Sequence, residues 1–506
     1  MSDQPTVSFA SLKSPGEGVV VVLSEDGPKF TAAAQDFDKK SKGLLTRAAE
    51  ISAFKGKRDS YINLLAPSGL DLSRLVVAGI GKPKEFGPED WLNIGGCLRG
   101  ILTGKEGQTA HVYLETAEGD LDTDEVASFS LGMLLRGYSF KKYKTTDKSK
   151  KANDGPEKAL KKVVIHCGDP RAATKAFATG QGIARGVDTA RDLVNEPANV
   201  LGPTEFAQRA KELTKVGVQV EVLNEPALKK LGMGALLAVG QGSEKPSHVV
   251  VMQWKGAGPK GGEPFVVVGK GVTFDAGGIS LKPSAGMEDM KGDMAGAACV
   301  VGLMQTLAER KAKANVVGII GLVENMPSGS AQRPGDVVKA MSGKTIEVLN
   351  TDAEGRMVLA DCLWYAQDRF KPQAMVNLAT LTGAIMVALG KEHAGLFSNN
   401  DELSSQLLDA GTATGEKLWR LPLGPKYDKL VDSKVADMKN TGGRWGGSIS
   451  AAQFLQRFVK EPTPWAHLDI AGTGMACADT DINRSWGSGF GVRLLDRLVR
   501  DNYERK

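Results

Sequence analysis

At 506 residues, 42% hydrophobic and 24% charged, the chain exceeds the roughly 250 to 300 residues at which one hydrophobic core stops growing, which excludes a disordered or fibrous polymer and favours at least two folded domains. A net charge of +5 over 64 basic and 59 acidic residues does not by itself mark a nucleic-acid binder. The five cysteines, Cys97, Cys167, Cys299, Cys362 and Cys477, form no CxxC pair, so they read as reduced core residues and suggest neither a disulfide framework nor a thiolate zinc site.

The start, MSDQPTVSFASLK, lacks the charged leader and apolar stretch of a secretory signal, and no later run reaches about 18 uninterrupted apolar residues. A cytoplasmic location with no membrane partner is expected. Short β-branched runs follow at GVVVVLS from Gly18, RLVVAGIG from Arg74, HVYLE from His111 and KVVIHC from Lys162. With helical stretches between them, they predict an N-terminal α/β domain over 1–168. Within it, 141–162 carries nine lysines and little apolar content, a solvated surface loop or an electrostatic patch for nucleic acid.

A linking helix is expected over 169–195, and NEPANVLGP then breaks the chain at Pro197 and Pro203. The remainder, 196–506, repeats the theme on a larger scale, with strands at HVVVMQW, PFVVVGKG, ANVVGIIGLV, TIEVLN and AMVNLATL, and helices over 287–310 and 355–369. Strands so uniformly apolar predict a mostly parallel sheet flanked by helices, with ligand sites at the carboxyl ends of the strands. The fold class is α/β in two domains, a smaller N-terminal one and a larger C-terminal catalytic one.

Several motifs are decoys. Gly256, Gly258 and Gly261 spell GxGxxG, but Pro259 interrupts it and another strand follows where a dinucleotide site needs a helix. Gly343, Lys344 and Thr345 look like the end of a phosphate-binding loop, yet Val338 occupies its first glycine position. There is no GxSxG elbow, and His111, His166, His248, His393 and His467 make no HExxH pair. His467 reads as a buried, hydrogen-bonded residue near the sheet end.

The chemistry gathers in three segments. VVVGKGVTFDAGGISLKP begins as an apolar strand and ends in a glycine-rich loop holding Lys270, Asp275 and Lys282. A lysine on a buried strand is costly unless it is paired, neutral or a metal ligand. MEDMKGDMAGAACVVGLM opens a helix in which Asp289 and Asp293, four apart, share a face; Glu288 and Asp289 read as first-turn carboxylates favoured by the helix dipole. In VLNTDAEGRMVLAD, Asp352, Glu354 and Arg356 alternate, so an extended backbone would put all three on one side, although a structural salt-bridge turn gives the same string. Together Asp275, Asp293, Asp352 and Glu354 offer hard oxygen ligands for two divalent ions about 3.5 to 4 Å apart. Lysine can join only as the neutral amine; Lys270 is the candidate ligand and Lys282 the candidate free cation.

NTDAEGR at 350–356 and VGKGVTFDAGGISLKP at 268–283 resemble the two signature segments of the leucyl aminopeptidase family, in its bacterial form. The likeness continues through ARDLVNEPAN at 190–199, MKGDMAGAA at 290–298 and NLATLTGA at 377–384. It implies a metallo-exopeptidase that releases N-terminal amino acids, leucine-like ones preferred, from peptides with a free N-terminus. By resemblance, Lys270, Asp275, Asp293 and Glu354 hold one metal, and Asp275, Asp352 and Glu354 the other. Lys282 polarises the scissile carbonyl and Arg356 holds a bicarbonate that acts as general base. Met290, Thr380, Gly383 and Ala471 lie near the side-chain pocket. Zinc, manganese and magnesium all suit such a site, and the family forms homohexamers with the catalytic domains at the centre. Two other classes compete: a DNA-binding regulator using 141–162, beside or instead of catalysis, and a two-metal phosphatase.

Overall fold

The computed structural model describes residues 4–102, 108–145, 160–258 and 261–505. The chain divides into two compact units, one of Met1–Ala184 with Asp479–Ser485 and one of Arg185–Ala478 with Trp486–Lys506.

The first unit is built on a seven-stranded sheet. Its central strand, Gly18–Glu25, is flanked in parallel by Thr109–Tyr113 and Leu72–Gly81. Apolar residues run without a break along this strand because both of its faces are covered. Val19, Val21 and Leu23 join one buried cluster with Val76 and Ile80, while Val20 and Val22 join another with Leu75 and Val77. Successive side chains on a strand point to opposite faces, so this division follows from the pleat. Strands Thr6–Ser11 and Tyr61–Leu65 close the two edges. Neither has a continuous apolar run, and Tyr61 and Leu65 are exposed.

The second unit carries an eight-stranded sheet ordered Gln219–Leu223, His248–Lys255, Asn315–Asn325, Phe265–Asp275, Ala374–Ala379, Trp465–Asp469, Ala394–Ser398 and Leu418–Arg420. Its centre is parallel, from Asn315–Asn325 through Trp465–Asp469. His248–Lys255 and Ala394–Ser398 run antiparallel to their inner neighbours. Helix Ala295–Glu309 lies directly on this sheet, since a Cβ on Gly296 would sit 2.2 Å from the Leu378 carbonyl oxygen. On the other face, helix Gly355–Phe370 buries Met357, Val358, Leu359 and Leu363 against Val266, Val268 and Val323.

Three local expectations are corrected. Only Thr345–Glu347 of TIEVLN is strand, and it belongs to a separate three-stranded sheet with Val337–Lys339 and Met438–Lys439. The 287–310 stretch is broken: a 3₁₀ turn, Met287–Gly292, precedes helix Ala295–Glu309, so Asp289 and Asp293 do not share a continuous helical face. The 352–356 stretch is not extended; Ala353 N–H donates to Asn350 O at 3.2 Å in a turn, and the helix starts at Gly355. No helix among the described residues is long and apolar enough to cross a membrane.

Candidate active site

The site grows from the carboxyl end of strand Phe265–Asp275. Lys270, only 2% exposed, reaches Asp293 Oδ1 at 2.7 Å, Glu354 Oε1 at 2.9 Å and the Thr380 carbonyl at 3.0 Å. At the strand tip Asp275 is held rigidly, because its Oδ1 accepts from Asn325 Nδ2 at 2.8 Å and from Gly277 N–H at 2.9 Å. Its Oδ2 faces Lys282 Nζ at 2.9 Å.

Lys282 returns to the strand end because Gly277 and Gly278 take positive φ values of 86° and 66°, a left-handed path that a Cβ disfavours. Lys282 N–H then closes the loop on Ala276 O at 3.0 Å. Thr351 ties this loop to the next segment, donating to Gly277 O at 2.6 Å and accepting from Ser280 N–H at 2.8 Å. That tie brings Asp352 into an ion pair with Lys282. Lys282, the candidate cation, is thus paired with Asp275 and Asp352.

Asp293 follows the 3₁₀ turn, where Thr380 Oγ1 and Lys270 both donate to its Oδ1, and its buried Oδ2 has no partner among the described residues. Ligand atoms of Asp275, Asp293 and Glu354 lie within 4.8 Å of one another. Burial pushes the Asp293 carboxyl well above the usual carboxylate range, and Glu354 and Asp275 add to this against the pull of Lys270. Burial and Asp275 likewise raise Glu354 and Asp352. Burial opposes the Lys270 ammonium, but Asp293, Glu354 and Asp275 outweigh it and hold its pKa above the ordinary lysine value. Crowded carboxylates whose repulsion two ammonium groups only partly relieve, with one buried oxygen still unsatisfied, fit divalent cations.

Arg356, in the first turn of helix Gly355–Phe370, is buried with its Nε unpartnered among the described residues. Burial lowers its pKa to about 10, against the attraction of Glu354 and Asp469. Thr380 is buried beside Asp293, Met290 is half-buried in the 3₁₀ turn, and Gly383 opens the helix Gly383–Leu389 in an exposed position. Ala471 packs with Ile385, Phe397 and Ala452.

Sequence reasoning passed over several residues that organise this geometry. Asn325 and Thr351 orient Asp275 and the 276–283 loop; the polar end of the ANVVGIIGLVEN run is the signal for Asn325, and Thr351 stands inside NTDAEGR at 350–356. Asp469, at the end of strand Trp465–Asp469, accepts from Leu381 N–H at 3.1 Å, Ala471 N–H at 3.3 Å and Thr382 Oγ1 at 2.7 Å. It thereby fixes the loop carrying Thr380 and Gly383, and burial lifts its pKa to about 6.

This chain is similar to known proteins along its whole length. The cytosol aminopeptidase family N-terminal domain matches residues 19–147, and the catalytic domain of the same family matches 188–496. A protein of Chelativorans sp. (strain BNC1) named "Probable cytosol aminopeptidase" is 57% identical over 504 residues, with 100% of both chains covered. One of the same name from Rhodopseudomonas palustris (strain BisA53) is 58% identical over 511 residues, again with 100% of each covered. Among solved structures, a tomato leucine aminopeptidase mutant superposes with a TM-score of 0.86 at 32% identity, covering 99% of this chain and 98% of that one. The bottromycin maturation enzyme BotP in complex with Mn gives 0.83 at 32% identity, covering 97% and 100%. On matches that span both units and relatives aligned end to end, the chain belongs to the cytosol aminopeptidase family and is an aminopeptidase.

Proposed function

We propose that this aminopeptidase works with two divalent ions and releases N-terminal amino acids, leucine-like ones preferred, from peptides with a free N-terminus. The observation that carries the reading is the buried triad Asp275, Asp293 and Glu354, with ligand atoms within 4.8 Å of one another and Lys270 and Lys282 ion-paired around it. Lys270, Asp275, Asp293 and Glu354 would hold one ion, and Asp275, Asp352 and Glu354 the other. Hard oxygens plus one amine suit manganese, zinc or magnesium, and the BotP structure is a manganese complex. When bound, the ions supply Lewis acidity to a water and the scissile carbonyl, and a seat for the substrate's free α-amine.

The chain's own residues do the rest. As a ligand Lys270 would be the neutral amine, since only that form has a lone pair to offer. Lys282 stays charged and donates to the carbonyl oxygen as negative charge develops there. Arg356 would hold a bicarbonate, which would supply a general base. Met290, Thr380, Gly383 and Ala471 shape the pocket for the first side chain.

By the same family likeness the working form is a homohexamer, while the sequence pattern itself supports a cytoplasmic location and a domain division of 1–168, 169–195 and 196–506. DNA binding through 141–162, beside or instead of catalysis, rests on the sequence alone; residues 146–159 of that segment lie outside the described residues.

A two-metal phosphatase would also use bridging carboxylates. Hydrolysis of leucyl p-nitroanilide and of p-nitrophenyl phosphate, each with and without added manganese, separates the two. Manganese-stimulated cleavage of the amide alone is expected, and cleavage of the phosphate ester alone would overturn the reading.

A further inference from the structure

One face of the catalytic sheet holds a buried polar group that the reaction above does not use. Val268 and Lys270 are two apart on strand Phe265–Asp275 and so point the same way. Register sets Asn377 beside Val268, and His467 beside Asn377. His467 therefore stands on the face from which Lys270 meets Asp293 and Glu354, two strands away.

The ring of His467 is fully buried and stacks on Phe397 with centroids 5.8 Å apart. Its tautomer is fixed by its neighbours. Trp465 Nε1 donates to Asn377 Oδ1 at 2.9 Å, which turns the Asn377 Nδ2 amine toward His467 Nδ1, 2.8 Å away. An amide nitrogen only donates, so Nδ1 accepts and the neutral ring carries its proton on Nε2. Burial first, and the nearby Arg356 charge second, keep the ring neutral, with a pKa down to about 3.

That Nε2–H donor is buried and has no partner among the described residues, and the same holds for Arg356 Nε. Buried donors without acceptors are costly and rare. Two in one neighbourhood point to a group that only accepts. Asp469, the carboxylate next along this strand, already accepts at both oxygens, from Leu381, Ala471 and Thr382. Among the described residues, neither donor finds an acceptor.

We propose that His467 is a second anion-binding residue of the site, its Nε2–H and the Arg356 guanidinium together taking one small oxyanion of the bicarbonate class. The proposal rests on the reading that Arg356 holds bicarbonate, and it adds the residue that fixes the anion's orientation.

The test uses the metal-loaded enzyme in carbonate-depleted buffer, titrated with sodium bicarbonate, and reads both the thermal midpoint and leucyl amide turnover. Wild type should gain in both, because a ligand that binds only the folded state stabilises it. His467→Gln, which keeps an N–H near the Nε2 position, should respond similarly. His467→Phe removes the donor at similar volume, and its half-saturating bicarbonate concentration should rise about tenfold or more in both readouts with metal content unchanged. His467→Leu carries the same expectation should the phenyl ring not fit. An unchanged half-saturating concentration in these variants, beside a responsive wild type, overturns the role of His467 alone. A wild type that responds in neither readout overturns the Arg356 reading, and this proposal with it.

Discussion

Lys270 and Lys282 pair with different carboxylates of one site, Asp293 and Glu354 for the first and Asp275 and Asp352 for the second, and the proposed mechanism gives them opposite tasks. Lys270 is enclosed by Asp293, Glu354 and the Thr380 carbonyl, a buried position that would suit a metal ligand rather than a contact with substrate. Lys282 sits on a loop, with its side chain 20% exposed, where a substrate carbonyl can reach it. Lys270→Met should therefore lose bound metal on dialysis. Lys282→Met should keep both ions and lose roughly 100-fold to 1,000-fold in turnover, about 3 to 4 kcal/mol, the usual cost of removing one stabiliser of developing negative charge. Metal analysis beside kinetics decides it: a Lys282→Met enzyme that loses a metal while Lys270→Met keeps both would reverse the roles. The identities of the charged residues were legible in the sequence, because a lysine within an apolar run and alternating acids before a helix are chemically conspicuous. Their pairing was not. Nothing local signals that Thr351 would tie the 276–283 loop to Asp352, a link across 74 positions between Thr351 and Gly277.

At the level of elements, the catalytic sheet was legible wherever strands were apolar on both faces, as in Phe265–Asp275 and Asn315–Asn325. It was misread where function bends the chain. Residues 287–310 carry a helical pattern, but the backbone breaks at Asp293, whose carboxylate turns in toward Lys270 rather than along a helix face. Likewise the 352–356 alternation suggested a strand, while a turn and a helix start deliver Glu354 to the same centre. Edge strands such as Tyr61–Leu65 escaped because one partner and partial exposure leave no continuous apolar run. The contact between helix Ala295–Glu309 and strand Ala374–Ala379 gives a structural prediction. Gly296→Ala forces a methyl to within 2.2 Å of the Leu378 carbonyl oxygen, so the helix must shift off the sheet at a cost of about 1 to 3 kcal/mol. A lowered urea midpoint at unchanged slope is expected, and an unchanged midpoint would show that the helix does not rest on the strand.

For the whole molecule, two α/β units were expected and two are found, each with its own buried sheet. Their boundaries could not be read to the residue, since helix Pro170–Asn195 runs through the division and Asp479–Ser485 belongs to the first unit despite its place late in the chain. Composition gave the size of the cores but no indication of such a return. The chemistry proposed for the second unit is that of an exopeptidase that reads a free amine. It is tested most directly by comparing hydrolysis of leucyl p-nitroanilide with that of its N-acetyl derivative by the manganese-loaded enzyme. The free-amine substrate should be cleaved and the acetylated one left intact; equal rates on both would contradict the account.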